Sequence, residues 1–213
     1  WHPDPNMAPV YSMNLKGDTL FAGGNFSGVR GLVRNRLARF NAITGEVDPY
    51  WNPNVAGPTN QTNIVNTILI KDTTLIIGGN FTTVGSATRY DLAEVGMGYA
   101  GAYTPWGPGP IVSTTSVMVN ALAFSNTKDT LYVGGSFTSM GGQARNRIAA
   151  LSPYANSAFA WNPNAKNTVY SLIAKDDLVY VAGLFDTING QDRKRIAAIQ
   201  ASNGMPTSWD PGA

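Results

Sequence analysis

The chain has 213 residues, with 15 basic and 13 acidic side chains, one His and no Cys. Without thiols there are no disulfides, no thiolate catalysis and no Cys-based metal sites, and His2 alone cannot supply a multi-His centre or a well-anchored Ser–His pair. The net charge of +2 makes no field that would steer nucleic acid or anionic lipid, and no apolar run approaches the ~20 residues of a membrane-spanning helix.

The first predicted element is a strand at Val10–Met13, followed by a polar turn at Lys16-Gly17-Asp18. An apolar run, Leu20-Phe21-Ala22, leads into Gly23-Gly24 and Phe26; being apolar on both faces, it reads as a strand covered on both sides. A hairpin follows, then Arg34 and a third strand through Leu37-Ala38. Thr44-Gly45 turns the chain into a weak fourth strand that ends at Trp51. The same order returns with first strands at Val65–Ile68, Val119–Leu122 and Val169–Leu172.

Fixed offsets tie the copies together. Trp1, Trp51, Trp106, Trp161 and Trp209 each open a W-x-P-x tetrapeptide, at spacings of 50, 55, 55 and 48. Phe26, Phe81, Phe137 and Phe185 close the glycine signature, and an Arg stands eight residues after each: Arg34, Arg89, Arg145 and Arg193. Antiparallel four-stranded sheets in tandem units of about 50 residues, greasy on both faces, predict an all-β fold of β-propeller blades. The blades are placed at about 6–54, 55–109, 110–164 and 165–213 of a single propeller segment. Linear sandwiches and a solenoid are the competing all-β arrays. Four blades would close a small ring or form an arc of a larger one, and we expect an arc within a mature or excised segment.

The combined string D-T-L-[YF]-[VA]-G-G-[NS]-F-[ST], R-N-R-[LI]-A, a T-G turn and W-N-P-N resembles the delta-60 repeat propellers, over nearly the whole chain. Copies one and three match best; copy two has Asp91 where another Arg is usual, and copy four has AGLF for GGNF. The resemblance implies a secreted or cell-surface bacterial protein and carries over no catalytic residue. Fold alone does not give function.

The repeated residues read as structural. A residue repeated in every blade serves packing, so the tryptophans are expected to wedge between blades. The arginines are expected to pair with turn carboxylates (Asp18, Asp72, Asp129, Asp176 or Asp177), to stack on a Trp or to cap carbonyls, with Arg36, Arg147 and Arg195 solvated if their face lies at the blade edge. From Phe to the following Trp the distances are 25, 25, 24 and 24, whereas from Trp to Phe they are 25, 30, 31 and 24. The inserted loops, about 56–62 and 109–116, therefore project from one face. Asn60, Gln61, Thr62, Tyr103, Ser113, Thr114 and Thr115 are the candidate binding residues there. No catalytic set, metal site or cofactor is expected. The reading is a non-enzymatic structural or binding module presenting loops to a protein or saccharide, with further blades or a partner chain at its ends and no nucleic-acid or membrane partner. A propeller lyase or glycosidase, and a cargo component of a secretion or surface assembly, are the alternatives.

Overall fold

The computed structural model describes residues 8–59, 62–110 and 117–212. The chain divides into two compact units, Trp1–Gly107 and Pro108–Ala213, and each holds two blades. In the first unit, blade 1 is the sheet Val10–Lys16, Thr19–Gly24, Leu37–Asn41, and blade 2 is Ile64–Lys71, Thr74–Asn80, Leu92–Gly96. In the second, blade 3 is Val119–Phe124, Leu131–Gly135, Ile148–Leu151, and blade 4 is Val169–Lys175, Leu178–Gly183, Ile196–Gln200. Neighbouring strands are antiparallel throughout.

The predicted fourth strand is reduced to one bridge in each blade: Phe40 with Val47, Val95 with Tyr103, Leu151 with Ala158 and Ile199 with Pro206. A proline at or near this edge leaves too few amide donors for a longer ladder. The predicted hairpin tips form two-residue ribbons, Gly28–Val29 with Leu32–Val33 and its three counterparts.

The double glycine has two separate reasons. A Cβ on Gly24, Gly79, Gly135 or Gly183 would lie 2.2, 2.0, 2.0 or 2.1 Å from the carbonyl oxygen of Pro9, Ile64, Met118 or Thr168. This close approach accompanies a bulge one residue into every first strand, at Val10/Ser12, Val65/Thr67, Val119/Ala121 and Val169/Ser171. The other glycine receives the neighbouring blade. A Cβ on Gly23 would meet Val65 Cγ1 at 2.6 Å, and one on Gly134 would meet Val169 Cγ1 at 2.7 Å. The bulge puts Val65 and Ile68 on one face, so both reach blade 1, and Val169 and Leu172 reach blade 3 in the same way. Each unit thus has a continuous core across its two blades, one built around Phe21, Leu37, Val65 and Ile77, the other around Tyr132, Ile148, Val169 and Val181.

Candidate functional site

The tryptophans that lie between paired blades are buried. Trp51 packs edge-on against Phe21 of blade 1 at 5.4 Å and donates its indole N–H to Gly96 O of blade 2 at 3.0 Å. Trp161 does the same between Tyr132 of blade 3, at 5.1 Å, and Gln200 O of blade 4, at 2.9 Å. Trp209 contacts Tyr180 of its own blade at 5.8 Å and is 43% exposed, against 0% for Trp51. Trp1 lies outside the described residues.

The repeated arginines make one bond pattern in all copies. One terminal nitrogen donates to the preceding carbonyl (Val33, Thr88, Ala144 or Asp192) and the other to a carbonyl of the last segment (Asp48, Thr104, Phe159 or Thr207), at 2.5–2.9 Å. The turn carboxylates are not their partners. The planar fork suits two diverging carbonyls, and those oxygens would otherwise be left unmet where the last strand stops short. For Arg34, burial draws the pKa below its ordinary value, opposed by the nearby Asp48.

Arg36, Arg147 and Arg195 are not merely solvated. Each has positive φ, at 65°, 65° and 65°, and returns its guanidinium to the chain. Arg36 reaches Phe26 O at 3.0 Å and Asn63 O of blade 2 at 2.6 Å; Arg147 reaches Phe137 O at 2.8 Å; Arg195 reaches Leu184 O. In copy two, Asp91 keeps the left-handed backbone and accepts the Phe81 N–H at 3.0 Å instead.

Of the loop residues expected to bind, Thr62 is exposed, and Tyr103 lies under the Arg89 guanidinium, 5.5 Å from its ring centre. Tyr103 Oη lies 3.4 Å from Ser86 Oγ. Asn60, Gln61, Ser113, Thr114 and Thr115 lie outside the described residues.

The structure draws attention elsewhere, to residues that break the repeat. Arg39 occupies the position held by Glu94, Ala150 and Ala198 in the other copies. Its Nε donates to Asp48 Oδ2 at 3.1 Å, a second nitrogen pairs with the same oxygen, and the guanidinium lies 5.6 Å from the Trp51 ring centre. Burial alone would raise the Asp48 pKa, but Arg39 and the N–H groups of Tyr50 and Trp51 outweigh it and hold the carboxylate below its usual range. This pair lines an open cleft of about 570 Å³ with Asp18, Asn41, Glu46 and Tyr50. Tyr50 stacks on Tyr99 at 5.8 Å, and both rings are largely exposed. Sequence reading passed over this cluster because it weighed residues that recur; departure from the repeat at Arg39 and Tyr50 was the available signal. Glu94 is engaged by Lys71 at 2.9 Å and by the hydroxyls of Thr74 and Thr104 at 2.5 and 2.8 Å. Burial raises its pKa, and those contacts pull it below the ordinary value.

A family model described as a domain of unknown function, DUF5122 beta-propeller, matches residues 18–49. The fold class is the β-propeller. Among solved structures, the chain is similar to the computationally designed Ika8 protein, at TM-score 0.54 and 13% identity, covering 92% of this chain and 47% of that one. It is similar to the designed Ika4 protein, at 0.53 and 13%, covering 91% and 92%. A chain of the mitotic checkpoint complex aligns at 0.59 and 13%, covering 97% and 52%. The protein thus spans about half the length of two of these three chains. No curated protein matches it. Among the described residues no helix is long and apolar enough to cross a membrane, and no group of His, Cys, Asp or Glu is placed to hold a metal ion.

Proposed function

We propose that the chain is a non-enzymatic binding module of an exported bacterial protein of the delta-60 repeat type, and that it presents the blade 1 cleft to a saccharide. The observation that carries this reading is the exposed Tyr50–Tyr99 stack beside a cleft edged by Asp18, Asn41 and Glu46. Aromatic faces pack on the C–H face of a sugar ring, while carboxylate and amide oxygens take its hydroxyls. Blade 3 has a cleft at the equivalent place, but Ala150, Phe159 and Ala160 stand there for Arg39, Asp48 and Tyr50, so among the described residues the polar and aromatic lining belongs to the blade 1 cleft and is not a packing demand of the repeat. Asp48 and Glu94 are committed to Arg39 and Lys71, an arrangement of charge balance rather than of acid–base exchange. Export and a bacterial source rest on the sequence resemblance.

Titration calorimetry against neutral and acidic oligosaccharides tests the reading. Saturable binding that Tyr50→Ala weakens at least about tenfold supports it. Binding that Tyr50→Ala leaves intact, or none to any sugar, sinks it; in the second case a protein ligand becomes the reading to test.

A further inference from the structure

We propose that the uncovered face of blade 1 and the uncovered face of blade 4 are two halves of a head-to-tail interface between copies of this chain. The template is the seam already present inside each unit. There, the first strand of one blade lays a Val and a longer aliphatic residue onto a glycine of the blade before it: Val65 and Ile68 on Gly23, Val169 and Leu172 on Gly134. Those side chains are buried, Ile68 at 5% exposure and Leu172 at 6%.

Blade 1 carries the same set without a seat. Val10, Met13 and Leu15 hold the positions of Val65, Ile68 and Ile70, and they are 39%, 61% and 58% exposed. Blade 4 carries the seat without an occupant. Ala182, Tyr180 and Ile196 hold the positions of Gly134, Tyr132 and Ile148. With Ser171 and Ile173 they line a nearly wholly apolar cleft of about 120 Å³, and Ile173 is 64% exposed. Trp209, the counterpart of the buried Trp161, is also uncovered on this blade.

A polar contact of the template carries over as well. Inside the first unit the Ile68 N–H donates to Ser12 Oγ at 3.0 Å. Ser171 holds the position of Ser12 and Met13 that of Ile68, so Ser171 Oγ is matched to the Met13 N–H of an incoming blade 1.

A second copy is the occupant these faces specify, because each face is complementary to the other one of the same chain and not to itself. The contact is heterologous, the face of one copy meeting the other face of the next. One position departs from the template. Ala182 has a methyl where Gly134 has none; a Cβ on Gly134 would lie 2.7 Å from Val169 Cγ1, so by analogy the seat in blade 4 is shallower.

Sedimentation equilibrium of the 213-residue chain from about 1 to 200 µM tests the proposal. Self-association that rises with concentration is expected. Met13→Glu and Ile173→Glu sit on exposed positions, fold normally by circular dichroism, and each weakens self-association at least about 30-fold. Mixing the two variants restores association through the one intact junction. Ala182→Gly tightens association. A monomer at every concentration overturns the proposal. So does loss of association in Ile173→Glu with none in Met13→Glu, which would mean blade 4 pairs with itself, and so does failure of the mixture to associate.

Discussion

Replacing Trp161 by Ala removes a side chain that is 7% exposed and spans the seam between blades 3 and 4. Truncating a buried aromatic costs about 3–5 kcal/mol. That range already includes the lost edge contact with Tyr132, while the Gln200 carbonyl, left without its indole donor, adds about 1 kcal/mol at the lower end of its desolvation cost. We therefore expect a loss of about 4–6 kcal/mol. With a urea slope of about 2 kcal/mol per molar, the midpoint falls by roughly 2–3 M. Trp161→Phe keeps most of the packing and loses the hydrogen bond, and should cost about 1–2 kcal/mol. Trp209→Ala supplies the control within the same molecule: same tetrapeptide, one aromatic neighbour, 43% exposure, and an expected loss of about 1 kcal/mol at a concentration where the chain is monomeric. Urea unfolding followed by circular dichroism reads all three. Equal losses for the two alanine variants would refute the wedge argument, because the motif and not its burial would then set the energy.

Three further outcomes follow from the same contacts. Arg145→Met should destabilise by about 2–3 kcal/mol and Arg145→Lys should not restore it, since one ammonium cannot reach both Ala144 O and Phe159 O; thermal unfolding checks this. Gly134→Ala should cost about 1–3 kcal/mol through its clash with Val169, and Val169→Ala in the same chain should recover part of that loss in a double-mutant cycle. Asp48 and Glu94 have folded-state pKa values below their ordinary values of 3.8 and 4.5, so their contribution is complete above about pH 5 and is lost as pH falls through the lowered values. The urea midpoint should therefore drop steeply below about pH 4, and Glu94→Gln should flatten that drop.

Much of the blade was legible in residues because its demands repeat. The V-x-x-[MIL] spacing, the apolar middle strand, the glycines and the Phe mark strands whose pairing is the same in every copy. What escaped reading depends on the backbone. The partners of Arg34 and its counterparts are carbonyl oxygens, as one of the expectations had it; carbonyls carry no residue signature, so the turn carboxylates were the more visible choice and the particular carbonyls could not be named. The fourth strand shrinks to a bridge because proline and turn residues occupy its edge, and a weak apolar pattern did not reveal how short the ladder is. The left-handed backbone at Arg36 could not be read from an Arg, a residue that gives no hint of positive φ. The lining of the blade 1 cleft, Arg39 and Tyr50 above all, departs from the repeat and so fell outside a reading built on recurrence.

Native-state hydrogen exchange of the second unit, in the wild type and in Trp161→Ala, bears most directly on the claim that blades hold by stacking on one another. Amides of Leu131–Gly135 and Leu178–Gly183 should open in the wild type with a common free energy, and both strands should lose protection together and by the same amount in the variant. Loss confined to one of the two strands, or distinct opening energies in the wild type, would show that each blade stands by itself and would contradict the account.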